Sequence, residues 1–226
     1  MIENATIYGT VELESHENEQ YMKCYFDGCM IKAPDSPDKR SIIRNIEMRD
    51  IYHNDCWLSG AVLENISICN LRAMGKTPLF IKGCVFNRVT LSGDISSIKI
   101  NRSIDPLAND SSKVLWDEAN INYYKNVAWA LDIRKAAFST SPSLEAVPGS
   151  LILRNPETTA LLSKDKLYGI DWEKLDFKNT AYDIAISWFL GLSLFDDCVL
   201  VAAKRNKRFK DQLLVLNNLK AKGLAS

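Results

Sequence analysis

Apolar or small residues recur every five positions between Ile43 and Ala73. One register runs through Ile46, Ile51, Cys56, Ala61, Ile66 and Leu71. A second, two residues on, runs through Ile43, Met48, His53, Leu58, Leu63, Ile68 and Ala73. Helices repeat every 3.6 residues and flat strands every two, so neither gives this spacing. A coil that turns a corner every five residues does. Residues two apart on a short extended segment point the same way. Cys56 with Leu58, Ala61 with Leu63 and Ile66 with Ile68 are therefore expected inside, with Trp57, Val62 and Ser67 outside. The next pairs, Ser59-Gly60, Glu64-Asn65 and Cys69-Asn70, are residue types that let a chain corner. One such unit buries little alone, whereas stacked coils bury a continuous column.

The blocks Cys56-Trp-Leu-Ser-Gly, Ala61-Val-Leu-Glu-Asn and Ile66-Ser-Ile-Cys-Asn resemble pentapeptide repeats, as do the blocks beginning at Cys24, Cys29, Cys84 and Val89. Ala5-Thr-Ile-Tyr-Gly fits as a first unit. The resemblance covers roughly residues 5–100 and implies a right-handed, four-sided β-helix of about four to five coils. The register breaks across Pro34–Arg40 and again across Gly75–Pro78, and both stretches read as loops bulging from the coil. The fold class expected is thus a β-solenoid plus α: a β-helix over residues 1–105, then a mainly helical domain over 106–226. The boundary falls near Ile104 to Asn109, where Asp105-Pro106 breaks the pattern.

The chain carries 28 basic and 28 acidic residues. Residues 1–105 hold 12 Lys/Arg against 14 Asp/Glu, and the remainder 16 against 14. Such balance gives no global field for nucleic acid or an anionic membrane. Of six cysteines, Cys24, Cys29, Cys56 and Cys84 occupy the small inward position of a repeat, where a free thiol acts as a small apolar residue. With no signal-like start, the expected location is the cytoplasm.

In the second half the pattern moves toward helix. Ser111 or Ser112 can cap a helix running to about Phe138, closed by Ser139-Thr-Ser-Pro142. Asn155-Pro156-Glu157 reads as a helix start, with Thr158 to Lys166 following and Gly169 closing it. Asn179 or Thr180 opens the apolar stretch Ala181 to Leu194. Asp196-Asp197 starts a last helix reaching about Lys222, with Phe209, Leu213, Leu216 and Leu219 as its core stripe. The apolar run 184–203 contains the Asp pair, which makes a membrane span costly, so it reads as two buried helices. It also offers a seam for a homodimer.

Gly75-Lys76-Thr77 lacks the upstream glycine of a phosphate loop, since Asn70 stands there, and Pro78 follows in place of a helix. His16 reads as an exposed-loop residue and His53 as a hydrogen-bonded core residue. Asp171, Glu173 and Asp176 read as solvent-facing or capping carboxylates. Lys204, Arg205, Lys207, Arg208 and Lys210 form the densest charge run, with 204, 207, 208 and 211 on one helical face. No catalytic, cofactor or metal set assembles from these residues.

The function expected is a non-catalytic protein-binding module. Resemblance to pentapeptide-repeat proteins paired with a helical domain implies an inhibitor or immunity protein that occludes a cognate bacterial toxin. Two alternatives are a DNA-mimicking topoisomerase-protecting protein, disfavoured by the charge balance, and an enzyme whose site lies in the helical domain. The outward candidates for contact are Tyr25, Arg49, Tyr52 and Trp57 on the solenoid and Lys204, Arg205 and Arg208 beyond it, because aromatic and Arg side chains dominate interface hot spots.

Overall fold

The five-residue spacing has a direct backbone counterpart. Asn45, Asp50, Asp55, Gly60, Asn65 and Asn70 all have positive φ, between 47° and 63°. Gly, Asn and Asp tolerate this left-handed conformation, and each instance bends the chain. The computed structural model describes residues 1–11, 16–104, 110–171, 174–178 and 180–226.

Its strands are β1 (Ile2–Glu3), β2 (Thr6–Val11), β3 (His16–Glu17), β4 (Gln20–Met22), β5 (Tyr25–Ile31), β6 (Ile42–Asn54), β7 (Trp57–Ser59), β8 (Val62–Ala73), β9 (Leu79–Lys82), β10 (Val85–Ile95), β11 (Ile98–Asn101), β12 (Leu131–Phe138), β13 (Ile152–Leu153), β14 (Thr159–Ser163) and β15 (Asp197–Val201). The helices are α1 (Asp110–Tyr124), α2 (Lys164–Leu167), α3 (Tyr182–Leu192) and α4 (Phe209–Ala221). Among the described residues, β1 to β13 form one parallel sheet of 13 strands, and β14 pairs antiparallel with β15.

The ladder advances by a fixed step. Ile46 pairs with Ile66, Ile51 with Leu71 and His53 with Ala73. The step lengthens between Tyr25 and Tyr52, where the Pro34–Arg40 loop with its single 3-10 turn is inserted, and again between Trp57 and Phe80, across Gly75–Pro78. Side-chain amides reinforce the bends. Asn65 Nδ2 donates to Asn45 Oδ1 at 3.1 Å, and Asn45 Nδ2 to Asn18 Oδ1 at 3.0 Å. Asn70 Nδ2 donates to Asp50 Oδ1 at 2.8 Å, while Asn70 Oδ1 accepts from the Asp94 N–H at 2.8 Å. The first apolar register is buried throughout, from Ile46 to Leu71. In the second, Ile43, His53 and Leu63 are buried, whereas Met48, Leu58 and Ile68 are only partly so.

Two parts of the expected fold class need correction. No right-handed four-sided β-helix is indicated: the strands form a large parallel sheet curled into a half-barrel. β6 and β8 run unbroken through their bends for 13 and 12 residues, so the sheet is not divided into separate flat faces. The second half is not mainly helical either. The expected helix from Ser111 ends at Tyr124, and Leu131–Phe138 continues the sheet beside β10, burying Leu131, Ile133, Ala136 and Phe138. The boundary expected at Asp105-Pro106 lies outside the described residues.

The expected helix over Thr158–Lys166 is instead β14 followed by the single turn of α2. The expected pair of buried helices over 184–203 is α3 followed by β15. β15 is sandwiched between two cores. Val199 and Val201 belong to the cluster under the curled sheet, whereas Cys198 and Leu200 face a second cluster with Tyr182, Ile186, Phe189, Leu216 and Leu219. Because both faces are covered, Cys198-Val-Leu-Val-Ala shows no alternation, and burial alone does not separate strand from helix. Asp197 does not start a helix. Its carboxylate accepts from the Gly149 and Ser150 N–H groups at 2.7 and 2.9 Å, tying the second cluster to the sheet layer. No described helix is long and apolar enough to cross a membrane.

Helix α1 packs against β10 and the 3-10 turn of the Pro34–Arg40 loop. Trp116 is buried with the Arg40 guanidinium 4.7 Å from its ring centroid. The Tyr124 hydroxyl accepts from the Phe86 N–H at 3.2 Å, and the Tyr123 hydroxyl donates to Glu64 at 2.9 Å.

Candidate functional site

Parallel strands bring every outward residue beside its equivalent on the next strand, so outward side chains form rows. One row holds Met30, Trp57, Phe80 and Lys99; the adjacent one holds Ser59, Lys82 and Asn101. Lys82 Nζ lies 5.6 Å from the Trp57 ring centroid and 5.8 Å from that of Phe80. Lys99 donates to Ser143 Oγ at 3.0 Å and lies 6.0 Å from the Trp188 ring centroid. Trp188 belongs to α3, whose outer face carries Ile184, Trp188 and Leu192 at spacings of four, exposed by 49, 40 and 53%. Arg102 holds this end in place, donating to the Leu192 carbonyl at 3.2 Å and pairing with Asp117. The result is a strip of aromatic and aliphatic side chains interleaved with Lys82 and Lys99. Neither lysine forms an ion pair with a carboxylate among the described residues.

A second row carries Tyr25 and Tyr52, followed by Arg72. The Arg72 guanidinium sits 5.8 Å from the Tyr52 ring centroid, and its Nη1 donates to the Tyr52 hydroxyl at 3.3 Å. Asp94 then lies 3.6 Å from Arg72 Nη2 and 3.5 Å from Arg205 Nε. The hydroxyl contact pushes the Arg72 pKa above its ordinary value.

Of the candidates expected from sequence, Tyr25, Tyr52 and Arg205 thus come together in one patch. Trp57 lies in the other strip. Arg49 is exposed in a third row with Met22, Cys69, Ser92 and Lys135. Lys204 and Arg208 are exposed, but they sit in the turns between β15 and α4 and not on a helical face. Phe80, Lys82, Lys99 and Trp188 were not singled out by sequence. Phe80 and Lys82 fall inside the continuous run Leu79–Lys82, and Trp188 falls in a stretch that reads as wholly buried. Of the carboxylates, Asp171 pairs with Lys174 at 2.6 Å and Asp176 with Lys178 at 2.5 Å, while Glu173 lies outside the described residues.

His53 and Glu145 are buried titratable groups. His53 is buried with Nε2 3.2 Å from Ser96 Oγ, and burial holds its pKa below the ordinary value, so the ring is neutral. Glu145 is buried near Lys99, and burial raises its pKa despite the lysine's opposing pull. A carboxyl whose folded pKa lies above its unfolded one is proton-stabilised. Its contribution is present at low pH and lost as pH rises from the ordinary carboxyl range through the folded value. Glu145→Gln should therefore change stability more favourably at pH 8 than at pH 5. Urea unfolding midpoints of both proteins at the two pH values check this.

Among known proteins, no family model, no curated protein and no solved structure matches this chain.

Proposed function

We propose that this chain is a non-catalytic protein-binding module, in its most specific form a cytoplasmic inhibitor that occludes a cognate bacterial toxin. The observation that carries the reading is the strip from Trp57 through Phe80 to Trp188, with Lys82 and Lys99 set among the rings. Stacked strands hold these side chains stiffly, which lowers the ordering cost of association. Tryptophan anchors supply most of the affinity in interfaces of this kind, and surrounding cations set partner choice and encounter rate. The partner surface that fits is apolar at its centre and acidic around it.

The DNA-mimic alternative is disfavoured by the surface acids themselves. Glu17 lies beside Arg44, Asp94 beside Arg72 and Arg205, and Asp132 beside Arg134, so these acids form no continuous acidic stripe along the strands among the described residues.

The test is a tagged pull-down from the native host, in low and moderate salt, with the full chain and with the double variant Trp57→Ala/Trp188→Ala. One stoichiometric protein partner, lost with the double variant, supports the reading. Recovery of topoisomerase subunits, or a partner retained equally by the variant, overturns it. A homodimer through the C-terminal helices would use the same α3 face, so light scattering on both proteins accompanies the pull-down. A dimer that the double variant dissociates would reassign the strip to self-association.

A further inference from the structure

The curled sheet is not filled. Its interior holds a cavity of about 220 Å³, running from Ile7 and Phe26 near the first strands past Ile68 to Leu131. Close packing normally leaves few voids larger than a water molecule, so this space is unusual. The side chains around it grade from partly exposed to buried. Ile7, Phe26, Met48 and Ile68 are only partly covered, whereas Phe86, Ile100 and Leu131 are 1–2% exposed. The cavity is therefore closed by the later strands and accessible from the earlier ones. At that open end His16, Glu19 and Tyr21 line it; the Tyr21 hydroxyl donates to Glu19, and His16 Nδ1 lies 3.6 Å from the same carboxylate.

A second observation is independent of the volume. His53 also lines the cavity and is 2% exposed, yet its buried Nδ1 has no hydrogen-bond partner. A buried polar atom without a partner is costly and calls for one. Its other nitrogen is engaged by Ser96 Oγ, which can donate or accept. Nδ1 can thus present either a lone pair or a proton, and a hydroxyl satisfies both.

We propose that the cavity is a binding site for an uncharged, elongated, largely apolar molecule of about eight to ten heavy atoms bearing one hydroxyl, which pairs with His53 Nδ1. The size follows from scaling: an apolar cavity of about 150 Å³ holds benzene. The charge follows from the lining. An anionic head would be brought toward the Glu19 carboxylate or buried among apolar walls, and a cationic head would lose its hydration against a neutral imidazole. The site borders the outer strip at Met30 and Trp57, but it is defined by the interior lining and His53 and does not depend on what that strip binds.

Methyl NMR spectra of the full chain, titrated with octan-1-ol, test this. Saturable shifts at the Ile68 and Met48 methyls are expected, with octanoate and octylamine at least tenfold weaker. His53→Leu, which keeps the lining apolar but removes Nδ1, should lower octan-1-ol affinity about tenfold and leave octane binding unchanged. Ile68→Phe, or Met48→Trp should the former fail to fold, should abolish binding by filling the space. Absence of saturable shifts up to the solubility limit overturns the proposal. So does equal binding of octanoate or octylamine, unchanged octan-1-ol affinity in His53→Leu, or unchanged affinity in a folded, filled variant.

Discussion

Gly60→Ala should destabilise this chain by about 3 kcal/mol, whereas Gly28→Ala should cost only about 1 kcal/mol. Both glycines have left-handed backbones, with φ of 63° and 62°. An alanine in either place pays the steric cost of an L-residue in that region, about 1–2 kcal/mol. At Gly28 nothing lies within 4 Å of an added Cβ, so the cost stops there. At Gly60 the added carbon would lie 2.6 Å from the Trp116 ring and 2.8 Å from the Ala33 Cβ. The ring cannot retreat freely. Trp116 is buried, the Arg40 guanidinium stacks on it, and Arg40 in turn bonds the Asn120 side chain in the same helix. Relief requires α1 to move off the sheet, which disturbs the Tyr124 contact to Phe86 as well. Overpacking of this kind adds about 1–3 kcal/mol. Urea unfolding of the two variants measures the difference directly. Equal losses would mean that α1 is not seated on the bend at Gly60.

The same bend shows what the sequence made legible. The period of five pointed to regular corners, and the left-handed residues do recur at Asn45, Asp50, Asp55, Gly60, Asn65 and Asn70. The inward register from Ile46 to Leu71 is buried as its spacing implies, and Trp57 and Ser67 are exposed. Spacing alone did not fix how the strands would join. The bends are shallow enough for ladder pairing to continue through them in β6 and β8, which produces one curled sheet. Beyond Asn109 the reading failed where burial erased periodicity. β15 is covered on both faces, and β12 carries a ladder irregularity opposite Thr90 to Ser92 that places Arg134 and Lys135 together outside and breaks its alternation. Local composition resembled helix in both places, and pairing with distant strands decided otherwise. The outer strip was half legible for the same reason. Trp57 sat at an outward position of a clear repeat, whereas Trp188 belonged to an apolar run whose exposed side becomes visible only once Tyr182, Ile186 and Phe189 are seen to fill the second core.

On the proposed reading of that strip, Trp57→Ala and Trp188→Ala should each weaken partner binding by about 2 kcal/mol, or roughly thirtyfold, while Arg49→Ala changes it by less than about twofold. Trp57 is 38% exposed and Trp188 40%, so each ring is anchored in the fold yet presents a large apolar area. Alanine removes that area; Trp57 also borders the interior cavity, so its variant is compared only where its stability matches the parent's. Arg49 lies in a different row, with no aromatic neighbour along its strand positions. Lys82→Glu probes a separate term. Lys82 stands among Trp57 and Phe80 without a carboxylate partner, so reversing its charge should slow association with an acidic surface. The loss should shrink as salt rises, since exposed charges are screened within about 8 Å at physiological ionic strength. The tryptophan losses should persist in salt and appear mainly in dissociation. Surface plasmon resonance at two salt concentrations, on variants whose urea midpoints match the parent, separates these contributions. Equal sensitivity of Arg49→Ala and the tryptophan variants would place the interface elsewhere on the sheet, and losses confined to Tyr25 and Tyr52 would move it to the row that ends at Arg205.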